Sequence, residues 1–199
     1  MMGPVVVFGC TGAVGSKILA TLLATDSIPF LQTISRRAPN GQSQKLKAYQ
    51  ETDSSKGGDM ISNLEPKPDA LLHALGTTRA TAGSIENQWK IDHDLCIETA
   101  KAARAAGVNT YVFVSSFGTR GSPGRYSPYG KLKVGIEGAI QRLDFDQVII
   151  LRPGFILGDR EIPKAPTAEK IISNMHRLSQ GLQDWIDKFV PWRRPSMQS

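Results

Sequence analysis

The apolar residues of this chain form short continuous runs, separated by polar segments and by stretches with helical periodicity. The runs predict buried strands at residues 5–8, 30–35, 69–75, 110–116 and 147–151, and a shorter strand near 46–52 within an otherwise polar loop at 38–68. Helical spacing follows the first strand, spans 84–106 behind the N-cap Ser84, and starts again near Pro128. Because strands and helices alternate, we expect an α/β fold, a doubly wound parallel sheet in a single domain.

Three glycines spaced by three, Gly9, Gly12 and Gly15, follow the first predicted strand directly. Glycine is needed where the chain turns sharply, where a pyrophosphate approaches the backbone and where a helix packs closely on a strand. The N–H groups and positive dipole of the next helix then face the phosphates. This is the G-x-x-G-x-x-G form of the Rossmann-type, NAD(P)-binding fingerprint, although an ordinary strand-turn-helix corner has the same glycines. The predicted cofactor-binding residues here are Gly9, Thr11, Gly12, Ala13, Val14 and Gly15.

Two adjacent arginines, Arg36 and Arg37, end the second predicted strand. In this fold that strand end meets the adenosine ribose, where an acidic residue binds a free 2′-hydroxyl and an arginine suits a 2′-phosphate. No acidic residue lies beside the pair, and a guanidinium matches phosphate in shape and charge. The pattern predicts NADP (NADPH) rather than NAD as cofactor, and a pair of solvated surface arginines is the alternative.

Further candidates for the cofactor crevice follow later strands. Asp53 is placed to meet the adenine edge, although an isolated acidic residue in a loop is more often solvated. His73 lies inside an apolar strand with no partner at metal-ligand spacing, so we expect a core residue and no metal site. Small residues close that strand and predict cofactor contacts from Leu75, Gly76, Thr77 and Thr78.

A tyrosine and a lysine one helical turn apart, Tyr129 and Lys133, follow a strand that ends in Ser115 and Ser116. A phenol can protonate the alkoxide that forms from a carbonyl, but its ordinary pKa of about 10 is too high for this work. We expect the lysine ammonium to lower the pKa of Tyr129 and to hold the nicotinamide ribose, so that Tyr129 and Lys133 both bind the cofactor. Ser116 is expected to hydrogen-bond the substrate oxygen. Ser115 is the alternative hydroxyl; Tyr126 is a weaker alternative phenol because no lysine follows it at this spacing.

Composition narrows the class of protein. The net charge is +6, but the basic residues are scattered without interleaved aromatic residues, so we expect no nucleic-acid binding. No apolar run approaches the roughly 18 residues of a membrane-spanning helix, and because the first strand is predicted to begin near residue 4, we expect no cleavable leader. Cys10 and Cys96 lie far apart, which favours a reduced compartment.

The remaining helical segments are explained by structural roles without catalytic or binding function. Asp92 and His93 are predicted to be ordinary helix-face residues. We divide the chain into a dinucleotide-binding part at 1–160 and a helical tail at 161–199 that belongs to the same domain. The tail is predicted to cover the sheet or pocket; alternatively, with Arg193 and Arg194 at its end, it forms an amphipathic helix on a membrane surface.

These motifs together resemble the atypical short-chain dehydrogenase/reductase superfamily, and more closely the Tat-interacting oxidoreductase family in its fungal, mitochondrial outer-membrane-associated branch. The resemblance covers about residues 4–160 and rests on 8–15, 33–37, 75–79, 89–94, 114–116, Tyr129 with Lys133, and 151–154. It implies NADPH binding, a further cofactor contact at Pro153, and the superfamily's catalytic roles for Ser116, Tyr129 and Lys133. It also implies a place on the cytosolic face of the outer membrane, and a tail that is truncated or divergent, since family members extend further beyond residue 154.

Two functions follow from these features. The first is an NADP(H)-dependent oxidoreductase that transfers hydride to or from a small carbonyl or alcohol substrate, with Tyr129 as acid and base. The second is an NADPH-binding regulatory protein that uses the same fold to set a surface for a protein partner, with little or no turnover.

Overall fold

A computed structural model describes residues 3–77, 79–119 and 123–154 of the chain. Their centre is a six-stranded, wholly parallel sheet in the order β3-β2-β1-β4-β5-β6. The strands are β1 (Val5–Phe8), β2 (Leu31–Ser35), β3 (Leu46–Gln50), β4 (Ala70–His73), β5 (Thr110–Val114) and β6 (Gln147–Leu151). The strand order reverses between β1 and β4, which creates a crevice at their carboxyl ends. The predicted single-domain, doubly wound α/β fold is confirmed.

Six helices cover the described part of the sheet. They are α1 (Ala13–Leu23), α2 (Gly57–Ile61), α3 (Arg79–Ala82), α4 (Ile85–Trp89), α5 (Leu95–Ala105) and α6 (Pro128–Ile140). Two 3₁₀ turns, Ser54–Lys56 and Pro123–Tyr126, precede α2 and α6, and a five-residue π turn, Lys90–Asp94, joins α4 to α5.

The sheet is apolar on both faces because helices cover both. Val5 and Val7 of β1 pack with α1 on one face, while Val6 and Phe8 pack with α2, α5 and α6 on the other. All four β1 side chains are therefore buried, which explains why the strand is a continuous apolar run instead of an alternating one.

Two local predictions differ from the structure. The segment 84–106 is not one regular helix, because the π turn interrupts it, although Ser84 does cap its start by accepting a hydrogen bond from the Asn87 N–H at 3.0 Å. The polar segment 38–68 contains α2 in addition to β3. Helix propensity did not predict α2, since this helix begins with two glycines. The buried side chain of Ile61 at the end of α2 instead stabilises the helix through tertiary packing.

The predictions for the tail at 161–199 lie outside the described residues. Within the described ranges, no helix combines the length and the hydropathy that crossing a bilayer would require.

Candidate functional site

The glycine corner between β1 and α1 is closed by backbone contacts that leave no room for side chains. Gly9 has a φ of 78°, and a Cβ on it would lie 2.5 Å from the backbone nitrogen of Leu75. A Cβ on Gly15 would overlap the carbonyl oxygen of Gly9. That carbonyl accepts a hydrogen bond from the Gly12 N–H at 3.0 Å. Two of the three glycines are thus needed for close approach, and one of these also for its left-handed backbone.

The N-terminus of α1 has the properties of an anion-binding helix end. Its N-cap is Gly12, whose lack of a side chain means that no cap hydrogen bond satisfies the first amide groups. No acidic residue lies in the first turn. The positive end of this eleven-residue helix therefore faces the crevice with no acidic residue in its own first turn.

A pocket opens along the carboxyl edge of β1, β2 and β4. It brings together eight of the predicted cofactor residues, namely Gly9, Thr11, Gly12, Arg36, Arg37, Asp53, Leu75 and Gly76. Ala13, Val14 and Gly15 instead form the first turn of α1, and Pro153 is buried beyond β6, so these four do not line the pocket. Thr77 lies directly after the lining residues, and Thr78 falls outside the described residues.

The side of the pocket next to β2 is formed by the two arginines. Both are exposed, and within the described ranges neither guanidinium forms an ion pair. Their backbone is held in place, because Gln50 Nε2 donates to the Arg36 carbonyl at 3.1 Å and Ser35 Oγ donates to the Arg37 carbonyl at 2.6 Å. The structure thus provides a fixed backbone with two unneutralised cations at the pocket wall.

The loop after β3 forms a further part of the pocket lining. Asp53 accepts hydrogen bonds from Ser55 N at 3.0 Å and Ser55 Oγ at 2.6 Å, which lower its pKa, so its carboxylate caps the 3₁₀ turn as well as lining the pocket. Glu51 accepts from the Asp53 N–H at 2.8 Å and also lines the pocket. Gly57 packs so closely under Phe8 that a Cβ would lie 3.0 Å from its ring. Sequence reasoning missed Glu51 and Gly57, since the segment had no recognisable periodicity.

A second group of residues lies on α6. Ser127 caps this helix by accepting from the Gly130 N–H at 3.0 Å, and Pro128 follows it. Tyr129 is 43% exposed, whereas Lys133, one turn later, is 4% exposed. The Lys133 ammonium donates to the Val114 carbonyl at 3.4 Å and lies 5.9 Å from the centre of the Tyr129 ring. The predicted pair therefore shares one helix face at the carboxyl end of β5.

The pKa of Tyr129 corrects one expectation from the sequence. Burial and the negative charge of Asp92 raise the pKa of Tyr129 above 10.0, and a hydrogen bond with Ser116 only partly offsets them. The lysine does not produce the expected lowering, because its ammonium bonds a strand carbonyl and lies 4.8 Å from the centre of the Phe113 ring. Burial in turn lowers the pKa of Lys133, against the attraction of Asp92.

A buried carboxylate in the π turn, Asp92, connects the two groups of residues. It is 2% exposed, and its Oδ1 accepts a hydrogen bond from the Thr77 N–H at 2.6 Å, just beyond the pocket residue Gly76. Burial raises the pKa of Asp92, while the Thr77 bond and the positive charge of Lys133 oppose the shift. Sequence reasoning gave Asp92 no role in the site, because a π turn that rotates one side chain inward has no visible sequence pattern.

The neighbouring histidines behave as predicted. His93 packs against Trp89, with ring centres 4.7 Å apart, and bonds Asp94 through Nδ1 at 2.8 Å. His73 is fully buried beside Cys96, with its Nδ1 3.6 Å from the thiol, and burial lowers the pKa of His73 to about 3. Burial also raises the pKa of Cys96 to about 12, so neither group is a reactive centre at neutral pH.

The two serines after β5 lie in different surroundings. Ser115 is buried and donates its hydroxyl to Glu137 Oε1 at 2.5 Å. Ser116 is half-buried; its Oγ donates to the Phe117 carbonyl at 3.3 Å, and its side chain lowers the pKa of the Tyr129 phenol. Ser116, and not Ser115, is therefore the serine that acts on the phenol.

Comparison with known proteins identifies the family and the fold of the chain. Residues 5–188 match the model of the NAD dependent epimerase/dehydratase family. Among solved structures, the UDP-glucose 4-epimerase of Thermotoga maritima superposes with a TM-score of 0.65 at 16% identity, over 85% of this chain and 61% of that chain. The UDP-glucuronic acid 4-epimerase of Bacillus cereus, solved in complex with NAD, gives 0.63 at 17% identity, over 80% of this chain and 59% of that one. The chain thus spans about six tenths of these enzymes, and the likeness shows the shared fold.

A much nearer relative is a fungal protein. "Protein fmp52-2, mitochondrial" of Neosartorya fischeri is 61% identical over 178 residues, which are 89% of this chain and 77% of the relative. The matching family model and this relative together show that the chain belongs to the NAD-dependent epimerase/dehydratase family and, within it, to the fungal fmp52 proteins.

Proposed function

We propose that the protein is an NADP(H)-dependent oxidoreductase of the atypical short-chain dehydrogenase type, acting on a small carbonyl or alcohol substrate. The observation that supports this most is the Thr77–Asp92 hydrogen bond. It places the pocket behind the glycine corner next to the group of Ser116, Tyr129 and Lys133, at one edge of one sheet.

The residues present suit a dinucleotide. The N-terminus of α1 and the backbone of Gly9, Thr11 and Gly12 would hold the diphosphate, because the glycines bring main-chain groups close to it. Leu75 and Gly76 would line the path from the pocket toward Tyr129. The nicotinamide supplies the hydride when bound, so the protein's own task is orientation, proton transfer and exclusion of water.

The catalytic roles follow from the positions of three side chains. Tyr129 is exposed enough to meet a substrate and would donate its phenolic proton to the developing alkoxide. Ser116, whose side chain lowers the pKa of Tyr129, would donate to the same oxygen. Lys133 is buried with its ammonium 5.9 Å from the centre of the Tyr129 ring and would hold the nicotinamide ribose of the cofactor.

The choice of NADP over NAD rests on Arg36 and Arg37. The family model is named for NAD, and a structural neighbour was solved with NAD. In this chain, however, two cations without ion-pair partners in the described ranges line the pocket at the tip of β2, where a 2′-phosphate would lie.

A second candidate is an NADPH-binding regulatory protein with little turnover and a protein partner. The raised pKa of Tyr129 favours it, because a phenol that holds its proton firmly is a slower acid. Both candidates bind the dinucleotide, so binding alone does not separate them.

The test compares the wild type with Tyr129→Phe on a panel of aldehydes, ketones and quinones, with NADPH binding measured in parallel. The oxidoreductase proposal expects wild-type turnover and a loss of about 100-fold or more in kcat for the variant, with unchanged NADPH affinity. Absence of turnover in the wild type across the panel, with tight NADPH binding, would instead favour the regulatory protein.

We place the protein at the mitochondrion, on the cytosolic face of the outer membrane, with peripheral contact through the segment 161–199. Support comes from the mitochondrial names of its relatives. Protease treatment of intact mitochondria tests this: an outer-face protein is degraded, whereas a matrix protein survives until the membranes are opened.

A further inference from the structure

A buried carboxylate on α6, Glu137, joins three elements of the catalytic half of the sheet. It lies one helical turn beyond Lys133. Its Oε1 accepts from Ser115 Oγ at 2.5 Å and from Thr119 Oγ1 at 3.0 Å. Arg152, just beyond β6, donates through Nε to Oε1 at 3.0 Å and through a terminal nitrogen to Oε2 at 2.6 Å. We call these residues, Ser115, Thr119, Glu137 and Arg152, the Glu137 cluster.

Net stability is a poor explanation for this cluster. Removing the Glu137 carboxylate from water costs free energy that the attraction of the partly exposed Arg152 guanidinium repays only in part, so the pair adds little compared with well-packed apolar side chains. Four hydrogen bonds hold the Glu137 carboxylate in a single position, since each bond constrains it in a different direction. Glu137 is 6% exposed, which keeps water from competing for those bonds.

The position that the cluster fixes is that of α6 relative to the strand ends. Beyond β5 and β6 the backbone is already paired, through Ser115 N to the Leu151 carbonyl at 2.7 Å and Phe117 N to the Pro153 carbonyl at 2.8 Å. Those bonds hold the strand ends to each other but not to the helix. The Glu137 carboxylate joins both strand ends to the helix that also bears Tyr129, in addition to the bond from Lys133 to the Val114 carbonyl of β5.

The cluster also fixes the hydroxyl of one of the two serines after β5. Ser115 donates its only hydroxyl proton to Glu137, so it has none left for a substrate oxygen. Ser116 is not part of the cluster, and its side chain lowers the pKa of the Tyr129 phenol.

We propose that Glu137, held by Arg152, is a positioning residue that engages the Ser115 hydroxyl and fixes the segment of Ser115 and Ser116 relative to the helix that bears Tyr129. This inference rests on the proposed oxidoreductase function, because Ser116 and Tyr129 are the groups being positioned. Glu137 acts through them and touches neither substrate nor cofactor.

The kinetic test uses Glu137→Gln, which keeps an acceptor for Ser115 but leaves the Arg152 charge without a counter-ion. We expect kcat to fall about 10- to 100-fold with the KM for NADPH changed less than about twofold, since a small displacement of reacting groups is costly while the cofactor pocket lies elsewhere. The double variant Glu137→Gln/Arg152→Gln restores a neutral pair and should recover part of the loss. Glu98→Gln, which breaks an exposed ion pair with Lys101, is the control and should leave kcat unchanged.

A readout that needs no turnover is hydrogen exchange at the backbone amides of Ser115 and Phe117. In Glu137→Gln these amides should exchange faster, and the effect should be absent from Glu98→Gln. Faster exchange with a wild type that turns over no substrate supports the positioning role while contradicting the proposed function. Unchanged exchange together with unchanged kcat in a folded Glu137→Gln overturns the inference, and so does a kcat loss that only follows the melting temperature across all variants.

A milder pair of variants covers the case in which Glu137→Gln does not fold. Ser115→Ala removes one hydroxyl from the cluster and should lower kcat less than about threefold, whereas Ser116→Ala removes the donor at the phenol and should lower it about 100-fold. The reverse order would show that Ser115 is the serine that meets the substrate, and would overturn the assignment.

Discussion

The two halves of the sheet are built on different physical principles. On the β1–β3 side, the pocket is shaped by the backbone: glycines allow close approach, and the charged residues of its lining, the two arginines with Glu51 and Asp53, lie at the surface of the protein. On the β4–β6 side, buried ionisable groups (Asp92, Lys133 and Glu137) are held by hydrogen bonds within the protein. The first half can bind a polyanion by shape, while the second must keep charges in a low dielectric, where their positions and pKa values depend on one another.

The largest expected effect probes the exposed charges of the cofactor half. Replacing Arg36 by Asp puts a negative charge at the pocket wall, so NADPH affinity should fall about 100-fold while NADH affinity changes less than about threefold. Fluorescence titration with both dinucleotides measures this. Arg142→Asp, an equal charge change at an exposed position after α6, is the control. An equal loss for both dinucleotides would contradict a 2′-phosphate contact.

An intermediate effect separates a glycine needed for close approach from one that is not. In Gly15→Ala the new methyl overlaps the Gly9 carbonyl, and we expect a loss of about 1–3 kcal/mol in the free energy of unfolding. In Gly138→Ala the methyl finds Arg142 at 3.5 Å, and helix propensity should stabilise α6 by up to about 1 kcal/mol. Urea unfolding measures both, and shifts of the same sign would refute this distinction.

The smallest effect concerns the two buried carboxylates. Burial opposes ionisation of Glu137, but its hydrogen bonds with Arg152, Ser115 and Thr119 hold its pKa below 4.5. The stability that its charge contributes is therefore complete above pH 4.5 and is lost as pH falls through the folded-state pKa. Burial raises the pKa of Asp92 above 3.8, so its contribution is complete below pH 3.8 and is lost as pH rises through the folded-state pKa.

Urea unfolding at a series of pH values measures both carboxylates. The stability difference between wild type and Glu137→Gln should grow with rising pH, and the difference between wild type and Asp92→Asn should shrink. If the two stability differences changed with pH in the same direction, the two carboxylates would have similar environments. That result would contradict the difference inferred from their contacts.

The same contrast explains how much of the molecule could be predicted from its sequence. The strands of the parallel sheet and the glycine corner follow from apolar runs and glycine spacing, because backbone geometry restricts which residues can stand there. The positions of Tyr129 and Lys133 on one helix face follow from their spacing. Because helices bury both faces of the sheet, its central strands appear in the sequence as continuous apolar runs that are easy to recognise.

Residues that depend on tertiary contacts were not predictable. Glu137 and Arg152 are separated by a turn and a strand, and nothing in their spacing indicates an ion pair. Asp92 was assigned to a helix face, yet the π turn directs it inward. The expected lowering of the pKa of Tyr129 was wrong, because it assumed that Lys133 points at the phenol when its ammonium bonds the Val114 carbonyl.

The π turn has a consequence for how α4 and α5 can vary. The Leu95 N–H reaches back five residues to the Lys90 carbonyl, so this turn holds one residue more than an α-helical turn would. The extra residue changes the rotation of α5 about the helix axis relative to α4. Each helix therefore keeps its own packing face, and Asp92 lies between them. A chain one residue shorter here would restore a regular helix and rotate one of those faces by roughly 100°. The length of this segment should therefore tolerate change less than its side chains do.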